Sequence, residues 1–237
     1  MSSEIATPRR QFLGQLAGAA AAAGITAVAA HAAPAESASP DAWIAEVRGA
    51  QKCLFDFPQH KNAMPLLHIF NYINTYATAY KVEARDVGTV GTLYSAGNQA
   101  SIMMAFNDTI WAKYRLGAYS GLKDAQGTPY TRNVFHRPTP ADLHVLLKAI
   151  DAPPIPALAG AMPAIGIESL QKMGTTFILC ANALDIWCLE LEARGHGTAA
   201  DIERELRANL LPGVTIVPAM VIAIEKAQAA GIHYNRQ

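Results

Sequence analysis

Short apolar runs alternate with longer stretches of helical spacing along this chain of 237 residues. Four runs are short and rich in apolar or β-branched residues, which predicts strands at 52–57, 87–94, 175–180 and 214–217. The stretches between and after them have helical spacing, which predicts helices at 64–80, 99–116, 140–150, 167–173, 184–193, 198–210 and 221–230. Strands separated by helices are typical of a parallel sheet with right-handed crossovers. We therefore expect a single α/β layered domain.

The part of the chain between the second and third predicted strands also contains irregular sequence. Gly117 is predicted to end the long helix before it. Residues 118–138 are polar, rich in Gly, Pro and Tyr and without a period, so we expect a long functional loop or an assembly arm. Residues 153–163 form a Pro/Ala-rich connector. The sequence therefore predicts an insertion at 118–163 within a domain that spans 51–237.

The first residues have the pattern of an export signal. Arg9 and Arg10 are followed by Phe-Leu, then by an uncharged, alanine-rich stretch and small residues at the positions that a signal peptidase recognises. The stretch is too short and too weakly apolar for a stable membrane span. We predict a twin-arginine signal peptide over 1–33, a linker and N-terminal segment over 34–50, and a periplasmic mature protein without a membrane span.

Charge and composition exclude several function classes. The chain has 19 basic and 19 acidic residues, and removal of the signal leaves it nearly neutral. Without a basic stripe to neutralise phosphates, nucleic acid is not an expected partner. The seven histidines have no metal-ligand spacing, and there is no CxxC, CxxCH or HExxH motif. We therefore predict no metal and no cofactor.

One cysteine stands at a chemically favourable place. Cys180 ends the short apolar run 175–180, and sequence compatible with a helix follows at once. The carboxyl ends of parallel strands are where ligands and reactive groups collect, and a helix start favours the nucleophilic thiolate. The alternative is a buried, inert cysteine. We expect Cys188 to be a core residue, with a resolving thiol as the lesser alternative. Cys53 is expected at the opposite end of the sheet, too far away for a disulfide with Cys180.

Several segments resemble DsrE-like proteins. The run 177–184, which contains Cys180, is similar to their strand–cysteine–helix signature, and the segments 107–114, 211–220 and 228–234 are also similar. The resemblance spans roughly Cys53 to Tyr234. It implies a flavodoxin-like three-layer sandwich with a parallel sheet, and assembly as a trimer or hexamer. In the sulfur-relay members of this family, a cysteine at the position of Cys180 carries a persulfide received from a donor. The chain departs from those members in its export signal, its insertion at 118–163 and the helix start at Asn182.

Other residues at the predicted strand ends are candidates to join Cys180, provided that the sheet order brings them together. The candidate binding residues are Asp56, His60, Lys61, Tyr94, Asn98 and Asn182. Pro218 and Met220 follow the fourth strand. Lys61 or a protonated His60 would stabilise a thiolate or persulfide anion, and Asn98 would help to bind an anion at a helix start. The alternatives are that Asp56 caps a turn, Asn98 caps a helix, and His60 and Lys61 are solvated loop residues.

A stripe of tyrosines is the remaining feature. Tyr72, Tyr76 and Tyr80 lie four residues apart on one face of the helix 64–80, as in a core or subunit contact more often than in a ligand cage.

Two classes of function therefore stay open. The first is a persulfide or sulfur carrier that uses Cys180 in periplasmic sulfur metabolism, with a sulfur-donor or acceptor protein as partner. The second is a non-catalytic small-ligand-binding or assembly module in which Cys180 is structural.

Overall fold

The computed structural model of the protein describes residues 39–148 and 156–237. The predicted signal peptide, residues 34–38 of the predicted linker and N-terminal segment, the end of the predicted helix 140–150 and the start of the connector lie outside these residues. Within the described residues, no helix is both long enough and apolar enough to cross a membrane.

A single five-stranded parallel sheet forms the centre of the domain. Its strands are β1 (Gln51–Asp56), β2 (Val87–Leu93), β3 (Thr175–Cys180), β4 (Val214–Val217) and β5 (His233–Arg236). They lie in the order β4-β3-β2-β1-β5, and every neighbouring pair is parallel. The α/β fold with a parallel sheet and the first four strands are therefore confirmed. The fifth strand was not predicted, because all four of its residues are exposed and three of them are polar.

Five of the seven predicted helices are present with shifted ends, whereas a helix at Pro156–Ala161 lies in the predicted connector and was not predicted. The α-helices are α1 (Met64–Thr78), α2 (Asp108–Lys113), α3 (Leu116–Ser120), α4 (Pro156–Ala161), α5 (Ile167–Lys172), α6 (Ala181–Ala193), α7 (Ala199–Ala208) and α8 (Met220–Ala229). Short 3-10 helices occur at Ala42–Glu46, Lys61–Ala63, Ala84–Asp86, Ser101–Ala105, Pro140–His144 and Met162–Ile165. The predicted helix 140–150 is thus a single 3-10 turn within its described part. Helix α6 begins three residues earlier than predicted, directly after Cys180.

The strand order determines on which face each connection lies. From β1 to β4 the chain moves across the sheet in one direction, so right-handed crossovers place these connections on one face. The connection from β4 to β5 contains α8 and returns across the whole sheet in the other direction, which places α8 on the opposite face. Helices therefore cover both faces, as expected for a three-layer sandwich.

The predicted long helix 99–116 is wrong. Phe106 is extended and forms an isolated bridge with Leu210, which interrupts the helical path. Asn107 then caps a new helix, because its side-chain oxygen accepts hydrogen bonds from the amides of Thr109 and Ile110 at 3.1 and 3.3 Å. Arg115, with a φ of 52°, separates α2 from α3. An apolar stretch with helical spacing is therefore divided by a tertiary bridge and a cap.

Gly117 has a different role from the predicted helix end. It lies inside α3, and a Cβ at this position would be 2.2 Å from the carbonyl oxygen of Tyr130. Glycine is needed here because the segment around Tyr130 packs directly on the helix backbone.

The insertion is ordered by an ion pair in which one partner is buried. Both carboxylate oxygens of Asp142 contact the Arg132 guanidinium, at 2.6 and 2.7 Å. The hydroxyl of Tyr130 and the amide of Thr139 also donate to this carboxylate, at 2.8 and 2.7 Å. Burial alone would raise the pKa of Asp142, but these hydrogen bonds outweigh it and hold the pKa below its usual range. Much of the predicted loop is thus tied to one charged centre.

Candidate functional site

Cys180 lies at the point of the sheet where the connections diverge. It is the last residue of β3, which pairs with β4 through Cys180 and Val217. Helix α6 follows β3 and helix α8 follows β4, and the two helices lie on opposite faces of the sheet. We call the place between these two strand ends the divergence point. In open α/β sheets, ligands bind at the carboxyl ends of two such strands. The topology therefore places Cys180 at the position where this architecture most often holds its chemistry.

The sulfur of Cys180 interacts with the first residue of α8. The backbone amide of Met220 donates a hydrogen bond to Sγ at 3.3 Å. Cys180 itself is the N-cap residue of α6, so the sulfur is adjacent to the amino-terminal ends of two helices. Both ends carry partial positive charge, and their first amides have no partner within their own helix, which is a setting that favours an anion.

The surroundings of this sulfur are close-packed. The side chain of Cys180 is only 5% exposed. The amide of Asn182 in the first turn of α6 donates to the carbonyl of Pro218 at 3.4 Å, which joins the two loops beside the sulfur. A small hollow of about 250 Å³ adjoins the segment Pro218–Ala219 and is also lined by Trp43 and Ile222. The indole Nε1 of Trp43 is buried without a hydrogen-bond partner.

The other two cysteines have a different environment. All three cysteines are free thiols. Burial raises the pKa of Cys53 to about 11, and burial together with Glu203 and Asp185 raises the pKa of Cys188 to about 12. Cys53 pairs with Thr89 in the sheet and Thr89 with Thr175, so Cys53 is level with the beginning of β3 whereas Cys180 is at its end. This agrees with the expected separation of Cys53 from Cys180.

Asp56 and Tyr94 meet each other at another part of the same sheet edge. The Tyr94 hydroxyl donates to Oδ1 of Asp56 at 2.8 Å, and the Tyr234 hydroxyl donates to Oδ2 at 2.7 Å. Thr92 adds a longer hydrogen bond of 3.3 Å. Burial is the main cause that raises the pKa of Tyr94 and of Tyr234, and the hydrogen bond to this carboxylate is the second cause. Asp56 is thus a buried acceptor for three hydroxyls that ties β5 and the end of β2 to β1.

His60 is a buried, neutral histidine. It has no exposed surface, its Nδ1 accepts a hydrogen bond from the amide of Asn62 at 3.1 Å, and its ring packs against Phe135. Its Nε2 has no partner of normal hydrogen-bond geometry, although the backbone of Asn98 is near. Burial lowers the pKa of His60 to about 4. The ring is therefore uncharged at neutral pH and does not provide the positive charge considered in the sequence analysis.

The structure divides the candidate residues into separate groups. Cys180 and Asn182 lie together at the ends of β3 and β4, with Met220. Asp56 and Tyr94 form the hydroxyl–carboxylate cluster, while the side chains of Lys61 and Asn98 are exposed. Among the described residues, no hydrogen bond or ion pair links Cys180 to Asp56, His60, Lys61, Tyr94 or Asn98.

Two members of the carboxylate cluster were missed by sequence reasoning. Thr92 lies two residues before Tyr94, and residues two apart in a strand lie on the same face. This spacing could have indicated that Thr92 is near Asp56 together with Tyr94. Tyr234 lies in the strand that was not predicted, and no signal in its local sequence indicates the contact. In the described part of the chain, no group of three or more His, Cys, Asp and Glu side chains is arranged to hold a metal ion.

No family model matches the chain, and neither a curated protein nor a solved structure matches it significantly.

Proposed function

We propose that the protein is a sulfur carrier that holds a persulfide on Cys180. The single observation that carries the proposal is the hydrogen bond from the Met220 amide to the Cys180 sulfur, at the divergence point of the sheet. The same amide and the two helix ends would stabilise the negative charge of a thiolate or of a persulfide. The resemblance of the segment around Cys180 to sulfur-relay DsrE-like proteins supports the same role.

The transfer needs no external oxidant or reductant. The Cys180 thiolate attacks the outer sulfur of a donor persulfide, R–S–SH, and forms a new S–S bond. The S–S bond of the donor breaks, and the donor leaves as the thiolate R–S⁻, while Cys180 carries –S–SH. An acceptor thiolate then attacks the outer sulfur in the same way, which returns Cys180 to its thiolate form. A donor or acceptor protein would dock at the ends of β3 and β4.

Mass spectrometry of the intact protein tests this step. Incubation with polysulfide or thiosulfate should add the mass of one sulfur atom, and peptide mapping should place it on Cys180. The variant Cys180→Ser should lose the adduct completely and keep its fold, because the serine hydroxyl still accepts a hydrogen bond from the Met220 amide. Cys53→Ala and Cys188→Ala are matched controls that should keep the adduct.

Two outcomes would reject the carrier function. Equal addition of sulfur to Cys180 and to either control cysteine in the folded protein would show that the site is not selective. Loss of the near-ultraviolet circular dichroism of Cys180→Ser, with no adduct on the wild-type protein, would assign a structural role to this buried cysteine. The domain would then be better described as a small-ligand-binding or assembly module.

We also propose that the carrier works in the periplasm as a trimer or hexamer. The support for export is the twin-arginine pattern at Arg9 and Arg10. The support for assembly is exposed apolar surface on α8, where Val221 and Ile222 are 75% and 51% exposed. The wild-type chain should be recovered from the periplasm with a trimeric or hexameric mass by light scattering. A chain with both arginines changed to lysine should stay in the cytoplasm, and its normal export would contradict the proposed export signal. A monomeric wild-type protein would contradict the proposed assembly.

A further inference from the structure

A groove lies between α1 and the C-terminal strand β5. Its volume is about 740 Å³, which is within the range of small-molecule sites. The residues that line it include Lys61, His68, Tyr72, Tyr76, Tyr80 and Arg236. Two strands, β1 and β2, separate this edge of the sheet from β3 and Cys180. A function of the groove is therefore independent of the function proposed for Cys180.

One wall of the α1–β5 groove is a ladder of tyrosines. The ring centroids of Tyr72 and Tyr76 are 4.9 Å apart, and those of Tyr76 and Tyr80 are 5.3 Å apart. Phe55 supports the inner end at 5.6 Å from Tyr72, and the Tyr76 hydroxyl donates to the side chain of Gln51 at 3.2 Å. Tyr80 at the outer end is 69% exposed. The ladder is thus a preformed aromatic wall with free surface.

The groove also has a positive charge at the ends of β1 and β5. Lys61 and Arg236 both line it, and both are exposed. Neither forms an ion pair within the described residues, although Arg236 is beside Asp56 in the sheet register. His68 contacts the side-chain oxygen of Gln237. No Asp or Glu is found among the described residues that line the groove. A ligand with a negative group would therefore meet complementary charge from Lys61 and Arg236 and no Asp or Glu side chain among these lining residues.

Lys61 is held at this position by a strained backbone. Lys61, Asn62 and Ala63 have φ values of 40°, 51° and 69°, in the left-handed region that residues other than glycine rarely adopt. The Asn62 side chain donates to the Val145 carbonyl at 2.8 Å, and the Leu147 amide donates to the Asn62 carbonyl at 2.6 Å. These contacts from the insertion keep the left-handed turn in place. Such strain is concentrated at ligand sites, where it positions a side chain in advance.

We propose that the α1–β5 groove binds a small planar aromatic compound that carries an anionic group. Its ring lies against the tyrosine ladder, where stacking and edge contacts stabilise it. Its acidic group lies beside Lys61 and Arg236, which donate charge-assisted hydrogen bonds to carboxylate, sulfonate or phosphate oxygens. The aromatic part provides burial, and the two cations select for an anion over a neutral compound of the same shape.

A pair of fluorescent probes separates the two parts of this recognition. Anilinonaphthalene sulfonate is an aromatic anion with a planar naphthalene ring, and phenylnaphthylamine is its neutral analogue. The wild-type chain should bind the sulfonate saturably at one site per protomer by fluorescence and calorimetry. Lys61→Gln and Arg236→Gln should each weaken the binding of the sulfonate about fivefold or more and leave the binding of the neutral analogue unchanged. Tyr80→Ala should weaken both, and Lys123→Gln, outside the groove, should change neither.

Two results would overturn the proposal. Absence of saturable binding by the wild-type chain would mean that the groove is closed or filled, for example by a second copy. Binding that is insensitive to both charge variants would show that the probe lies elsewhere. Near-ultraviolet circular dichroism is recorded on every variant, and a double variant, Lys61→Arg with Arg236→Lys, should retain sulfonate binding because both charges are kept.

Discussion

The sulfur of Cys180 and the carboxylate of Asp56 lie at the same edge of one sheet but have different partners. Cys180 accepts a hydrogen bond from a backbone amide at the start of a helix. The carboxylate of Asp56 accepts hydrogen bonds from three hydroxyl groups. At the scale of single residues, the first arrangement places a backbone donor on the sulfur, whereas the second stabilises the packing of β5 against β1.

The buried histidine gives a pH dependence of stability with a definite sign. An unfolded histidine has a pKa of about 6.5, and burial lowers the pKa of His60 to about 4. Between these values the unfolded chain binds more protons than the folded chain, so stability falls as the pH decreases through this range. The loss between pH 6.5 and 5 should be about 2 kcal/mol.

Urea unfolding at pH 7 and pH 5 measures this loss, and His60→Asn is the matched variant. The asparagine side-chain oxygen can replace Nδ1 as acceptor for the Asn62 amide but does not titrate. From pH 7 to pH 5, the free energy of unfolding of the variant should therefore fall by about 2 kcal/mol less than that of the wild type. Equal losses in the two proteins would show that His60 does not titrate as described.

Sequence reasoning located candidate residues at strand ends but did not reveal which of them meet. Asp56, Tyr94 and Cys180 were all placed at the carboxyl edge, which is where the structure has them. Their partners depend on strand order and on β5, because Tyr234 reaches Asp56 from a strand without an apolar pattern. The neutral state of His60 likewise depends on burial beneath Phe135, a residue 75 positions later in the chain.

At the scale of elements, strands were predicted where an apolar run reports burial on both faces. This condition holds for β1, β2 and β3, which lie inside the sheet. The edge strand β4 is mostly half-buried and was predicted from its β-branched residues. The condition fails for β5, an edge strand with four exposed residues. The helix predicted over 99–116 was wrong because a bridge between Phe106 and Leu210 and the cap at Asn107 are stronger than the local helical pattern.

The close contact at Gly117 makes a quantitative prediction for the insertion. A methyl group at this position would overlap the backbone of Tyr130, so Gly117→Ala should destabilise the protein by about 1–3 kcal/mol or more. Gly160→Ala is the matched control, because Gly160 is also helical and nothing lies within 4 Å of its added Cβ. The control should be neutral or slightly stabilising in urea unfolding. Similar effects of the two substitutions would contradict the packing of the Tyr130 segment on α3.

At the scale of the whole molecule, the return of the chain from β4 to β5 across the sheet creates the divergence point at Cys180. The sequence predicts the order of elements along the chain, but strand order follows from long-range pairing that no local pattern encodes. The same return places β5 beside α1 and so forms the groove at the other end of the sheet edge. One topological feature therefore produces both sites.

The proposed function requires Cys180 to be the reactive thiol of the folded protein, and the rate of alkylation of each cysteine measures this reactivity. The native protein is treated with limiting iodoacetamide at neutral pH, and the label is quantified on each cysteine peptide over time. We predict that Cys180 is labelled first and that Cys53 and Cys188, with pKa values raised to about 11 and 12, remain unlabelled until the protein unfolds. Labelling of Cys180 that is no faster than that of Cys53 or Cys188 would contradict the account.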